Sequence, residues 1–381
     1  MTLQPTATID EVRRLFPVTR EWAYFGHCAV SPLSLPAAEA MRVFIDDRLH
    51  RGIAGLGDHG LAVFADRARE RAARLIGAAP EEIALVQNTV VGVNIVAQGL
   101  DWQPGDTVVT ADVEFPANYF PWANLADRGV LVKLVRERDG RVPADDVLAA
   151  IDDRTRVVAL SFVEFTNGYR NDLATIGRAC RERGVLFAVD AIQGLGALEM
   201  DVAAQCVDFL AAGGHKWLLG PIGTGIFYCR RALLDRLRVA FLGHNSMVRR
   251  PEYLPHVYDL WPDARRFEGG AQNSLGVAGL AASIDLLLGL GPAAVERRVL
   301  ELTDYVIAGL RERDCEVLSP LGARERSGIV AFRSRRTPTP ALVRRLAEQR
   351  IFVAPRSGGI RVAPHVYNRE EELDRLLALV P

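Results

Sequence analysis

The chain has 381 residues, 49% hydrophobic and 24% charged, which fits a globular protein of about two domains with a sizeable core. Its 46 Lys and Arg almost balance 47 Asp and Glu, and a net charge of −1 excludes a global field that would recruit nucleic acid or an anionic membrane. Residues 1–10 hold no basic stretch followed by an apolar one, and no uncharged apolar run is long enough to span a bilayer, so neither a signal peptide nor a membrane anchor is expected.

In chain order, the segment up to about residue 75 is expected to pack on the C-terminal part of the chain. From there strand and helix patterns alternate. A strand over 83–87 precedes a helix over 89–100, with Thr89 as its cap. A strand over 107–110 leads to a helix near 117–127, and a strand over 130–135 to a helix near 144–151. The apolar strand 157–161 is followed by a helix over 173–183 and a strand over 185–189. Strands over 207–211 and 225–229 complete the run. Beyond residue 270 the rhythm changes to two long amphipathic helices, near 274–289 and 293–314. The stretch 275–295 is apolar but interrupted by Asp285, and reads as buried. Last come strand 328–332, helix 340–348, strands 351–353 and 359–362, and a helix from Arg369.

Such alternation implies an α/β fold with a mainly parallel sheet between helices, followed by a smaller α+β unit. The five cysteines, Cys28, Cys180, Cys206, Cys229 and Cys315, are scattered and odd in number, without metal-ligand spacing. They read as reduced thiols of a cytoplasmic protein with no metal site.

One residue pair carries chemistry. Lys216 stands alone in an apolar, glycine-rich run, and burial favours the neutral amine of a lysine. A neutral amine attacks carbonyls and holds them as a Schiff base. Asp190 ends the apolar strand that precedes it, and Gln193 and His215 lie beside the two. A lysine imine with an Asp partner for the ring nitrogen is the usual frame of pyridoxal 5′-phosphate (PLP). Ligands of parallel sheets bind beyond the carboxyl ends of the strands, and Asn88, Thr89, Glu114, Phe115, Asp190, Gln193, His215 and Lys216 all fall there.

These residues sit in longer matching stretches. They are Tyr24-Phe-Gly-His-Cys-Ala-Val-Ser-Pro-Leu33, Gln87-Asn-Thr-Val-Val-Gly-Val-Asn94, Glu114-Phe-Pro-Ala-Asn-Tyr-Phe-Pro-Trp122, Val189-Asp-Ala-Ile-Gln193, Gly214-His-Lys-Trp217, Arg266-Phe-Glu-Gly-Gly-Ala-Gln-Asn273 and Ile360-Arg-Val-Ala-Pro-His-Val-Tyr-Asn368. With them the chain resembles the class V aminotransferase group of fold-type I PLP enzymes. That group also holds cysteine desulfurases, kynureninase and isopenicillin N epimerase-like proteins.

The resemblance implies a large PLP-binding domain over 76–270, and a small α+β domain with its long helices over 271–381. Residues 1–75 would pack with the small domain. It implies Lys216 as Schiff-base lysine and α-proton carrier, Asp190 on the ring nitrogen, Gln193 on the ring hydroxyl and Phe115 stacked on the ring. Asn88, Thr89 and His215 would hold the phosphate, and Arg361 the substrate carboxylate. It further implies a homodimer with the active site near the subunit interface.

The departures narrow the chemistry. Desulfurases of this group carry a histidine where Phe115 stands, and a nucleophilic cysteine shortly before Arg361; residues 353–361 here hold none. Cys28 could enter from the opening turn, but a buried structural thiol is the usual case. Gly213, Val90 and Ala271 replace phosphate-cup hydroxyls of many relatives, which points to weaker PLP binding; the stretch holding Ala271 comes from the partner subunit in the family. A small-molecule α-amino acid is the expected substrate. Amino-group transfer is preferred, because it asks for no further catalytic residue. C–S lysis without a catalytic cysteine, epimerisation, and a non-catalytic PLP-binding regulator are the alternatives. A nucleotide enzyme would need a glycine-rich turn after a strand, and Gly220-Pro-Ile-Gly-Thr-Gly225 precedes one. The loop from Leu242 to Trp261, with His244 and Asn245, is expected to line the substrate pocket. Arg356 would read a distal carboxylate or pair with Glu268.

Overall fold

The computed structural model describes residues 7–248 and 254–381. Residues 1–6 of the N-terminal stretch and residues 249–253 of the substrate loop lie outside the described residues.

A seven-stranded mixed sheet forms the centre, in the spatial order Ile83–Val86, Gly225–Cys229, Phe209–Gly213, Leu186–Asp190, Thr155–Ser161, Thr107–Ala111 and Leu131–Val135. Only Gly225–Cys229 runs antiparallel to its neighbours. Four central strands are buried over nearly their whole length, which explains why they read as continuous apolar runs and not as alternating ones. Two apolar layers cover the sheet. Leu160, Phe187, Val189 and Leu210 belong to one, and Ala159, Leu186, Phe209 and Phe227 to the other.

Helix Thr89–Gly99 packs close to the strand Phe209–Gly213, and a Cβ at Gly92 would meet the Ala211 methyl at 2.6 Å. That approach sets the helix start directly beside the turn that carries Lys216.

A second, antiparallel sheet orders Ala354–Arg356, Gly359–Val362, Val330–Ser334 and Cys315–Val317. The short strand Ala23–Tyr24 pairs in parallel with Ile351–Phe352. Helices Leu35–Arg51 and Ile53–Ile76 pack on the buried helix Ser274–Leu290. At Gly291, with φ +84°, the chain turns by 82° into helix Pro292–Arg311. Among the described residues no single helix is long and apolar enough to cross a membrane.

Several expected elements differ. The single helix near 117–127 is a 3-10 turn Pro116–Asn118, one α-turn Phe120–Ala123 and a second 3-10 turn Ala126–Arg128. Pro121 cannot continue a helix begun at Ala117, since it lacks the N–H and its ring meets the preceding turn. The strand read over 207–211 begins at Phe209, because the Val207 N–H bonds Val202 and the Asp208 carboxylate accepts the Phe187 N–H. The strand read over 328–332 is Val330–Ser334. The long helix read to 314 ends at Arg311.

Candidate active site

The carboxyl ends of the strands bring together Thr89, Phe115, Asp190, Gln193, His215 and Lys216. Lys216 follows the strand Phe209–Gly213 on a turn fixed from three sides. Gly214 donates to Thr224 O at 2.7 Å, the Ser31 hydroxyl donates to the Lys216 carbonyl at 2.6 Å, and Ser31 N bonds His215 O at 2.8 Å. A Cβ at Gly196, whose φ is +101°, would sit 2.3 Å from the Trp217 carbonyl, so only glycine lets these two segments touch. Lys216 is buried, and its Nζ lies 5.5 Å from the centroid of the Phe115 ring. Burial pushes its pKa down, with Asp190 opposing the shift and Arg361 and Arg356 adding to it.

Asp190 ends its strand at 2% exposure. One carboxylate oxygen accepts the Ile192 N–H at 3.0 Å, while Oδ2 is buried with no partner. Burial raises its pKa to about 6. A buried, unsatisfied carboxylate oxygen is costly unless something binds there. A protonated ring nitrogen supplies both the missing hydrogen bond and the charge, so the residues fit PLP.

Gln193 is already engaged on two sides. Its amide nitrogen donates to Cys28 O at 3.0 Å and its oxygen accepts from the Trp217 ring at 3.2 Å, which leaves one amide hydrogen free. The buried Thr89 hydroxyl oxygen accepts the Gly213 N–H at 3.0 Å, which keeps its own proton available. Asn88 caps the helix by accepting the Val91 N–H at 3.1 Å. His215 Nδ1 is buried without a partner, and burial lowers its pKa. Val90, 42% exposed, presents methyls at the same helix start.

Arg361 is 2% exposed. It donates to Phe165 O at 2.6 Å, and its Nε has no partner. Cys28 is fully buried, burial raises its thiol pKa, and the charges of Arg361 and Lys216 reach it. The opening turn is bound to the C-terminal part: His27 bonds Ala363 O at 2.7 Å and the Tyr367 hydroxyl at 2.8 Å.

The other expected substrate residues stand differently. His244 is exposed on a 3-10 turn. The Asn245 side-chain amide donates to Gly270 O at 2.8 Å, and its backbone carbonyl accepts from the Trp261 ring nitrogen at 3.0 Å. Arg356 does not pair with Glu268. Glu268 lies under the strand Ile83–Val86, where it holds Arg69 through two bonds, 2.6 and 3.1 Å, and accepts the Leu85 N–H at 2.8 Å. Arg356 instead lies over the Phe165 ring, 5.8 Å from its centroid. Ala271 is exposed.

Sequence reasoning missed Glu164 and Phe165. Both follow the carboxyl end of the apolar strand Thr155–Ser161, the position that drew attention to the other site residues. Among the described residues no group of three or more His, Cys, Asp or Glu is placed to hold a metal ion.

The aminotransferase class-V family model matches residues 28–376. A probable cysteine desulfurase of Methanothermobacter thermautotrophicus is 34% identical over 80% of this chain and 76% of its own length. The apo structure of a cysteine desulfurase from Thermococcus onnurineus NA1 superposes with a TM-score of 0.88 at 28% identity, covering 97% of this chain and 96% of that one. A complex of the cystine C–S lyase C-DES with its reaction product cysteine persulfide superposes with a TM-score of 0.89 at 25% identity, covering 96% and 98%. With the lysine, the unpaired aspartate and the start of helix Thr89–Gly99 in one place, the chain belongs to the class-V aminotransferase family of PLP-dependent transferases and lyases.

Proposed function

We propose that the protein is a PLP-dependent lyase that breaks the Cβ–S bond of a cysteine-derived α-amino acid, with the sulfur leaving on the departing group and not on an enzyme cysteine. The carrying observation is the hairpin before Arg361. Its strands Ala354–Arg356 and Gly359–Val362 close through Ser357 and Gly358, both at positive φ, a two-residue turn with no room for a cysteine-bearing loop. The names of the relatives, cysteine desulfurase and cystine C–S lyase, support a sulfur amino acid as substrate.

Bound PLP supplies the electron sink for the pair left when the α-proton departs. Lys216 takes that proton, and its burial shifts the amine towards the neutral form that accepts one. Asp190 Oδ2, buried without a partner, would accept the proton of the ring nitrogen. The free amide hydrogen of Gln193 serves the ring hydroxyl oxygen. Thr89, the backbone of Asn88 and His215 hold the phosphate at the helix start. Phe115 would pack on the ring and offers no proton donor on its side, which weighs against epimerisation. Arg361 takes the substrate α-carboxylate, for which its planar fork is suited.

Amino-group transfer is the second reading, favoured because Lys216 alone suffices to return the proton. A homodimer fits the exposed apolar residues Val90, Phe120 and Ile222, each of which follows a strand on the carboxyl-end side of the sheet. The test incubates holoenzyme with L-cysteine, L-cystine and L-alanine. Pyruvate and ammonia with equimolar sulfide from L-cysteine, or with equimolar cysteine persulfide from L-cystine, support the lyase. A 2-oxo acid with conversion of the cofactor to its pyridoxamine form overturns it in favour of transfer.

A further inference from the structure

Glu164 follows the strand Thr155–Ser161 and is 1% exposed, yet half of its carboxyl group has nothing to bond. Oε1 accepts the Asn171 amide N–H at 2.8 Å, and Oε2 is buried without a partner. The Asn171 amide nitrogen also donates to Ser161 O at 2.9 Å, so both its hydrogens are used and the orientation of the amide is fixed. Its own oxygen, Oδ1, is buried without a partner as well. The two orphaned oxygens belong to groups already joined through their other atoms. A single proton on Oε2 answers both, because an acid O–H donates to an amide oxygen while the amide N–H donates back.

The surroundings favour that proton. Glu114 is furnished as an anion: it accepts the Ser161 N–H and hydroxyl, each at 2.6 Å, and the Asn118 amide at 3.0 Å. Among the described residues Glu164 accepts from Asn171 alone. The groups that face it are Glu114 and Asp112 from the turn after strand Thr107–Ala111, Asp190 from the neighbouring strand end and Tyr169 from its own loop. Burial and these like charges oppose ionisation.

The pair sits at the base of a short loop. Val163 and Arg170 bridge one another, Glu164 N bonds Tyr169 O at 2.8 Å, and Gly168 N bonds Glu164 O at 2.9 Å. The loop carries the contacts to the second sheet and the segment leading into it. Phe165 O accepts from Arg361 at 2.6 Å, Gly168 O accepts from the Ser327 hydroxyl at 2.7 Å, and Arg170 N donates to Glu325 O at 2.8 Å. A Cβ at Gly168 would stand 2.5 Å from Ile329 O, so the approach is close.

We propose that Glu164 is a positioning residue, held as a neutral carboxylic acid that pairs with Asn171 through both its oxygens and so fixes the loop on which Arg361 rests. The inference rests on the assignment of Arg361 to the substrate α-carboxylate in the reading above. Loss of the pair loosens Phe165 O, the support of Arg361, and leaves the cofactor contacts of Lys216 and Asp190 in place.

Infrared difference spectra of wild-type and E164Q holoenzyme at neutral pH should show a carboxylic-acid C=O band that the variant lacks. Its absence overturns the proposal. Calorimetry of propionate, a carboxylate without an amine, reads the Arg361 side without turnover. E164A leaves the Asn171 amide unpaired. It should raise KM for L-cystine and the propionate dissociation constant by about tenfold, with a smaller fall in kcat and the cofactor absorbance kept. Should E164A fail to fold, E164D takes its place with the same expectation, since its shorter side chain does not reach Asn171. E164Q, whose amide makes both bonds, should bring both constants back to near wild-type values. E164Q as weak as E164A, or E164A as tight as wild type, overturns the positioning role. Propionate binding that weakens in E164A and recovers in E164Q, in a protein that turns over no sulfur amino acid, upholds that role and sinks the lyase reading.

Discussion

Glu114 reaches across from the turn after strand Thr107–Ala111 and holds Ser161 twice, accepting its backbone N–H and its hydroxyl, each at 2.6 Å. Ser161 is the register partner of Asp190. On the other side of Ser161, Asn171 binds both its carbonyl and Glu164, at 2.9 and 2.8 Å, and Glu164 Oε2 is buried without a partner. Three carboxyl groups thus lie buried behind the strand ends. Burial raises the Glu114 pKa to about 7, and burial together with the charge of Glu114 raises that of Glu164 well above the usual carboxylate range.

This arrangement makes apoprotein stability depend on pH. A carboxyl whose folded pKa lies above its unfolded value contributes stability at low pH that is lost as pH rises through the folded value, at up to about 1.4 kcal/mol per pH unit and proton. For Glu114 that loss runs from its unfolded value of about 4 up to about 7; Asp190 is its charged neighbour, and Glu164 faces Glu114, Asp190 and Asp112. Glu164→Gln stands in for the protonated group. The Tm difference between E164Q and wild-type apoprotein should therefore grow in favour of the variant as pH rises from about 4 towards 7, as followed by circular dichroism. Parallel curves would show that the pair does not share its charge.

Cofactor affinity should depend on Asp190 in the opposite sense. The group must be ionised to meet a protonated ring nitrogen, and without cofactor it protonates at about 6. PLP binding should hold steady above that value and weaken about tenfold per pH unit below it. Asp190→Asn should remove this dependence and lower kcat by about a hundredfold or more, since the amide cannot keep the ring protonated. A fluorescence titration with PLP across pH separates the outcomes.

Lys216→Ala should abolish the long-wavelength absorbance of lysine-linked PLP and cut turnover by about 100- to 10,000-fold, the range for losing a positioned acid/base. PLP should still bind through the other groups. A variant that retains both the band and the activity would remove Lys216 from the chemistry.

At the phosphate side, Val90→Thr adds a donor to an exposed position on the first helical turn. PLP should then bind about tenfold tighter, the worth of one hydrogen bond to a charged group. Gly213→Ser should not help. Its Cβ would stand 3.1 Å from Ile192 Cδ1 and 3.2 Å from the His215 ring, so the histidine must move. Equal gains from both variants would place the phosphate elsewhere.

The fold class was legible because its signals are local. A strand buried on both faces, such as Thr155–Ser161, is a continuous apolar run whatever it pairs with, and the alternation with helices dictates a parallel sheet. Lys216, Asp190, Thr89 and Phe115 could be grouped for the same reason, since each follows a legible strand. Other features depend on partners far along the chain. The edge strand Ala354–Arg356 contains a proline and reads as loop until Gly359–Val362 pairs with it, and that pairing alone sets Arg356 and Arg361 on one face. Glu268 takes Arg69, 199 residues away, and not Arg356, because charge partners follow from which elements pack together. The unsatisfied oxygens of Asp190 and Glu164 are likewise products of burial, which composition and periodicity do not encode. The sequence determined the elements and the order of the chemistry-bearing residues; tertiary packing decided their burial, their partners and the placement of Arg356 on the face of Arg361.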